Sequence, residues 1–238
     1  MLYVVATPIG NLGDLTLRAA EVLRTVDFIA AEDTRHSSRL LSHYEIRKPL
    51  VSLHDHNESQ RVPELVNRLR NGETAALISD AGMPLISDPG FRLLQACQDN
   101  EVPCEILPGP SAVTTALAGS GLPCHAFYFG GFLPPKSGRR ERELRQALNR
   151  DCTSIYFESP HRLGKSLAVL AEAAPERHGC VARELTKTYQ EYRKGTTAEL
   201  RAHYTAHPPK GEITLLIGPN PDRKPAGPDA EDADSEGE

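Results

Sequence analysis

The sequence predicts an α/β chain of two α/β domains, on three observations. Short apolar runs alternate with segments of helical period. The alternation breaks at Gly119-Ser-Gly-Leu-Pro123 and then restarts. Third, the 238 residues are 39% apolar, enough for two cores of about 110 residues each.

Leu2 to Ala6 reads as a first strand. Asp14 is the expected cap of a helix burying Leu15, Ala19, Val22, Leu23 and Val26. Phe28 to Ala31 is the second strand, and a helix follows from about Thr34. Leu50 to Leu53 is the third. Asn57 is then expected to cap a helix burying Val62, Leu65, Val66 and Leu69, closed by Asn71-Gly72. Ala75 to Ser79 is a fourth strand, followed by a Pro/Gly/Asp loop and a helix around Phe91 to Cys97. Val102 to Leu107 is a fifth, with Pro110 opening the next helix. Beyond the break come strand 126–130, helix 138–149, strand 153–157 and helix 160–173. Strand 179–184, an extended segment 186–194, helix 197–205 and strand 212–217 complete the second domain. The domains are expected at 1–119 and 120–220. Residues 221–238 lack large apolar residues and are expected to form a disordered acidic tail.

The formal charge of −5 belongs largely to that tail. Six acids lie within residues 229–238, and the rest holds 27 basic and 26 acidic residues, a net +1. A near-neutral body neither demands nor excludes a nucleic-acid partner. No segment approaches the ~20 apolar residues of a membrane span. The N-terminus lacks the basic and apolar regions of a signal peptide. The five cysteines form no CxxC pair, so free thiols in a reducing cytoplasm are expected, with neither zinc site nor disulfide framework. His54-x-His56 has two metal-ligand types and no third in register, so no metal is expected.

The chemistry is expected at strand ends. Ala6-Thr-Pro-Ile-Gly-Asn-Leu-Gly-Asp14 is a strand-to-helix turn with an incomplete glycine fingerprint. Ile78-Ser-Asp-Ala-Gly-Met-Pro-Leu-Ile-Ser-Asp-Pro-Gly90 leaves a central strand where open α/β sheets bind ligands. It holds two Asp and no base. That suits a ligand with a positive centre, an amino group and ribose hydroxyls; an Asp-Pro turn is the bland alternative. Leu107-Pro-Gly-Pro-Ser-Ala112 sets Ser111 and Ala112 at the next helix start. Lys136 to Arg145 has five bases against two acids. In 186–194, Lys187, Tyr189 and Arg193 would share one face if extended, suiting RNA backbone pairing and base stacking.

The segments VATPIGNLGDLTLRA, AAEDTR, SDAGMPLISDPG, LPGPSAVTTAL, FESPHRL and RELTK resemble the tetrapyrrole-methylase superfamily. More narrowly they resemble its ribosomal RNA small subunit methyltransferase I branch, cytidine-2′-O-methyltransferases. The resemblance runs from about Leu2 to Pro219. It implies a class III methyltransferase architecture, with a cofactor cleft between two α/β domains. It also implies S-adenosylmethionine as cofactor, a cytoplasmic homodimer, and a cytidine ribose in the decoding region of 16S rRNA in the small ribosomal subunit as acceptor. Carried onto this chain, the cofactor residues are Pro8, Asp80, Ala81, Gly82, Met83, Pro84, Ser87, Ser111, Ala112, Phe157, Ser159 and Ile213. Catalytic candidates are Asp33, Arg35, Glu158 and Lys187, with His56 and His161 also at strand ends. RNA contacts are expected from Arg139, Arg140, Lys187 and Arg193. The alternative is methylation of a tetrapyrrole or other small molecule.

Overall fold

A computed structural model describes residues 1–223. The chain divides into a compact unit over Met1–Ala112 and a second from Val113 onward. The expected junction, at 119/120, falls in the last turn of the helix over Ala112–Ser120. Residues 224–238, most of the predicted tail, lie outside the described residues; Pro221 to Arg223 form a turn.

The first unit is a parallel sheet of β1 (Leu2–Val5), β2 (Phe28–Ala31), β3 (Leu50–Ser52), β4 (Ala75–Ile78) and β5 (Cys104–Leu107), ordered β3-β2-β4-β1-β5. Its central strands are apolar on both faces, as burial from two sides requires. Val4, Phe28, Ala30, Ala75 and Leu77 pack under α3 (Glu58–Arg70) and α4 (Phe91–Asp99). Val5, Ile29, Ala31, Ala76 and Ile78 face α1 (Leu17–Thr25) and α2 (Thr34–His43). The loops after β1 and β2 therefore turn to one face and those after β3 and β4 to the other. Such a divergence opens a crevice at the carboxyl ends of the strands.

Four local expectations are corrected. Asp14 does not cap α1. It ends a 3-10 turn, Leu12–Asp14, held by Asn11, and Thr16 caps α1 by accepting from Ala19 N at 3.0 Å. Asn57 sits at the start of α3, but its side chain accepts from His54 N and donates to Ser52 O, leaving the helix amides uncapped by it. β5 begins at Cys104 because Pro103 has no N–H for the ladder. The helix after β5, α5 (Ala112–Ser120), begins beyond Pro110, with Ser111 just before it.

The second unit holds a sheet ordered β6-β7-β10-β8-β9: β6 (Phe127–Phe132), β7 (Thr153–Glu158), β8 (His178–Arg183), β9 (Glu191–Thr196) and β10 (Ile213–Ile217). Only the β6–β7 pair is parallel. α6 (Ser137–Leu148), α7 (Pro160–Ala173) and α8 (Thr197–Ala206) bury Leu144, Leu163, Leu167, Leu200 and Tyr204 against Tyr156, Val181 and Leu215. On α5, Gly119 leaves room for the Tyr192 ring, since a Cβ there would lie 2.2 Å from it; the Tyr192 hydroxyl donates to Thr115 O. The expected extended segment 186–194 is only partly so. Leu185 to Gln190 is a turn with left-handed Thr186, and the strand starts at Glu191. Lys187 and Arg193 therefore do not share a strand face.

Candidate functional site

In the first unit, the loops after β1, β4 and β5 converge through backbone contacts. Thr7 and Gly82 exchange both N–H···O bonds at 2.9 Å, and the Thr7 hydroxyl donates to Ser79 O at 3.1 Å. Gly82 has φ +83°, and a Cβ on it would lie 3.4 Å from Ile9 Cγ2 and 3.8 Å from Pro110 O. Gly109 is closer still to β1, since a Cβ there would meet Ala6 Cβ at 2.8 Å. Pro8 and Pro84 are buried walls, whereas Ala81 and Ser87 are exposed and Asp80, Met83, Ser111 and Ala112 half-buried. Leu85 and Ser87, neither a glycine, hold φ of 75° and 69°. Such strain clusters at ligand-binding loops. Glu58, buried at the start of α3, accepts from Gly90 N at 3.0 Å and anchors the far end of the loop after β4.

Around these loops carboxylates cluster. Asp33 N donates to Asp80 Oδ1 at 3.2 Å, tying the loop after β2 to that after β4. Glu32, next to it at the end of β2, is pushed up to about 7 by burial, then by the charges of Asp80, Asp88, Asp55 and Asp33. Burial also raises Asp88, against a hydrogen bond from Ser79 and with the charges of Asp80 and Asp55 adding to it. So much mutual repulsion is relieved by a ligand carrying positive charge, which favours the ionised carboxylates. Sequence reasoning passed over Glu32, because its neighbours Asp55, Asp80 and Asp88 meet it only in the folded sheet. At the end of β3, His54 Nδ1 is buried with no hydrogen-bond partner among the described residues. No group of three His, Cys, Asp or Glu able to hold a metal occurs among the described residues.

The catalytic candidates are dispersed. Asp33 caps α2, and its bonds from Arg35 N and His36 N lower its pKa, which makes it a weak base. The Arg35 side chain is 92% exposed. In the second unit, Glu158 is buried and fully engaged: Ser159 N and the Ser166 hydroxyl donate to it, and Arg162 pairs with it at 3.0 Å. Lys187 bridges Glu184 (3.0 Å) and Glu212 (2.9 Å). Burial opposes its charge, but the bonds to Glu212 and Glu184 prevail and raise its pKa, so it stays an ammonium rather than a base. Left-handed Glu184 and Thr186 shape this turn, and Gly211 is required because a Cβ would lie 2.3 Å from the Glu184 carboxylate.

The remaining cofactor candidates lie in the second unit. Phe157 is packed edge-on by Phe129 and Phe132. Ser159 caps α7 by accepting from His161 N, and Ile213 is buried in the core on a strand paired on both sides, with Glu158 and Arg183 as its partners. Of the RNA candidates, Arg139 is exposed and Arg193 pairs with Glu191 at 2.8 Å. Arg140 is a correction. It is buried on the face of α6 shared with Leu144, and its guanidinium donates to Pro134 O and Pro135 O, so it holds the turn before α6 and is not offered to phosphate.

Residues 1–201 match the family model for tetrapyrrole (corrin/porphyrin) methylases. The chain is 50% identical over 220 residues to a ribosomal RNA small subunit methyltransferase I of Mesorhizobium japonicum, covering 92% of this chain and 75% of that one. It is 48% identical to the protein of that name from Haemophilus influenzae, covering 93% and 79%. Against the Thermotoga maritima protein of that name the identity is 44%, covering 91% and 97%. The fold is similar to the methyltransferase CobJ (TM-score 0.68, 20% identity, 92% and 93% covered). It is also similar to a uroporphyrin-III C-methyltransferase of Thermus thermophilus complexed with S-adenosylhomocysteine (0.65, 15%, 91% and 96% covered). Two α/β units, the crevice at the ends of β1 and β4 and these relatives agree: the chain belongs to the tetrapyrrole methylase family of S-adenosylmethionine-dependent methyltransferases, among the ribosomal RNA small subunit methyltransferase I proteins.

Proposed function

We propose that the chain methylates small-subunit ribosomal RNA, at the 2′-hydroxyl of a cytidine ribose in the decoding region. The RNA class is supported by the names of relatives at 44–50% identity that share most of the chain. The cytidine and the 2′ position rest on the resemblance of the motifs to the cytidine-2′-O-methyltransferases, and so do the homodimeric state and the cytoplasmic setting.

The observation that carries the donor site is the acidic crevice, where burial, and then the charges of neighbouring carboxylates, have pushed Glu32 up to about 7. It fits a donor that is positively charged at sulfur and ammonium. S-adenosylmethionine supplies an already activated methyl group, so the protein's part is to bind, orient and exclude water. Pro8, Asp80 to Pro84, Ser87, Ser111 and Ala112 would hold it from the first unit, with Gly82 and Gly109 allowing backbone donors to approach. Phe157, Ser159 and Ile213 are proposed on the resemblance of the motifs alone. Arg139 and Arg193 are the cations proposed to meet RNA phosphate, with Lys187 as a fixed positive charge.

Methyl incorporation tests this, with labelled S-adenosylmethionine and small subunits from cells lacking the protein. Labelling of one subunit ribose supports it. Labelling of a tetrapyrrole and not of RNA would favour the small-molecule alternative.

A further inference from the structure

We propose that Glu32 is the general base of the reaction, accepting the proton of the ribose 2′-hydroxyl as its oxygen attacks the donor's methyl group; this rests on the ribosomal RNA reading above. Placement is the first reason. β2 lies between β3 and β4, with Ala31 opposite both Ser52 and Ile78, and Glu32 is the next residue. The chain after β2 turns to one face of the sheet and the chains after β3 and β4 to the other, so Glu32 stands where they part. Its neighbour holds the loop after β4 directly, Asp33 N donating to Asp80 Oδ1 at 3.2 Å. Availability is the second reason. Asp33 accepts from two helix amides, Asp80 from Asp33 N, Asp88 from the Ser79 hydroxyl and Glu58 from Gly90 N. The Glu32 side chain is half-buried, and it has no hydrogen bond or ion pair among the described residues.

The groups that face Glu32 set its strength. Burial comes first, then the charges of Asp80 and Asp88 on the loop after β4, Asp55 on the loop after β3 and Asp33 beside it, and together they hold it at about 7. A carboxylate there takes up a proton more readily than one at the ordinary 4.5, whereas Asp33 is lowered by its two amides. In the step proposed, the bond from the 2′-oxygen to the methyl carbon forms as the carbon–sulfur bond breaks, its electron pair staying with sulfur, and the hydroxyl proton goes to Glu32. Glu32 thereby loses its negative charge in the same step in which the crevice loses the donor's positive one. Beside the cationic donor Glu32 is kept ionised and ready to accept; once that charge is gone, the surrounding carboxylates raise its hold on the proton it has taken.

Two measurements on the full chain test this. The first is the single-turnover rate of methyl transfer to small subunits from cells lacking the protein, with S-adenosylmethionine and subunit both saturating so that donor affinity drops out. The wild-type rate should rise with pH and level off as Glu32 ionises. Glu32→Gln should be slower on the order of a hundred- to ten-thousandfold and show no such rise. Glu32→Asp should keep the rise at a lower plateau, and added formate should restore part of the rate to Glu32→Ala and none to wild type. The second reads protonation without turnover, by carbon-13 NMR of the Glu32 carboxyl, assigned by its loss in Glu32→Gln. Its midpoint should stand near 7 in the free protein, fall with S-adenosylmethionine, and lie higher with S-adenosylhomocysteine than with the donor. A Gln variant within about threefold of wild type at saturation, or a loss that neither formate nor Asp relieves, would overturn the assignment and leave the ribosomal reading standing. An ordinary carboxylate midpoint in the free protein would do the same. No transfer to a subunit ribose by the wild-type chain would sink the ribosomal reading and this assignment with it.

Discussion

Glu32 offers the sharpest quantitative consequence of the acidic crevice. At a pKa of about 7 it is half ionised near neutrality. A cationic donor selects the ionised form, so its apparent affinity scales with the ionised fraction. That fraction rises from about 0.09 at pH 6 to about 0.76 at pH 7.5, so affinity should rise about eightfold across the window. The window stays below the α-amino range, so the donor's own ammonium remains charged. The assay is calorimetry of S-adenosylmethionine binding at four pH values, in buffers of differing ionisation enthalpy. About half a proton should leave the protein per binding event at pH 7. Glu32→Gln should bind more weakly at pH 7.5 and show less than about a twofold change across the window. The same pH slope in the Gln variant, or affinity falling with pH in the wild type, would refute the reasoning. Stability carries a matching sign. A carboxyl held above its ordinary 4.5 contributes stability below that value and loses it as pH rises through about 7. Glu32→Gln should therefore leave Tm unchanged near pH 4 and raise it at pH 8.

Gly82→Val meets a φ of +83° and Ile9 Cγ2 3.4 Å from its Cβ, so it should abolish S-adenosylhomocysteine binding by calorimetry while far-UV circular dichroism stays native. Arg140→Ala leaves the Pro134 and Pro135 carbonyls without their donor and should cost about 1–3 kcal/mol in urea unfolding. Arg139→Ala, at an exposed site, should shift unfolding by less than about 0.5 kcal/mol yet weaken subunit binding. Equal unfolding midpoints for the two would contradict the division of labour between neighbouring arginines.

The first unit was legible because its strands and helices carry their own periods. Phe28 to Ala31 and Ala75 to Ile78 are unbroken apolar runs, buried on both faces as such runs predict. The Pro/Gly/Asp loop after β4 was recognisable by composition. What the loop meets was not, because Glu32, Asp55 and Asp80 are far apart in the chain and come together only through strand order. Arg140 could have been found: it stands four residues before Leu144 and seven before Ala147, on the buried face of α6. Counting bases along the segment hid that. Lys187 was misplaced because left-handed Glu184 and Thr186 carry no glycine to announce them.

The central claim is that this chain methylates a ribose of small-subunit RNA. The most direct measurement maps 2′-O-methyl groups on that RNA by mass spectrometry of nuclease fragments, comparing cells with the protein, without it, and with the Gly82→Val form. The account predicts one cytidine in the decoding region that carries a 2′-O-methyl group with the wild-type protein and lacks it in the other two. An unchanged methylation pattern across all three, or loss of a base methyl rather than a ribose methyl, would contradict it.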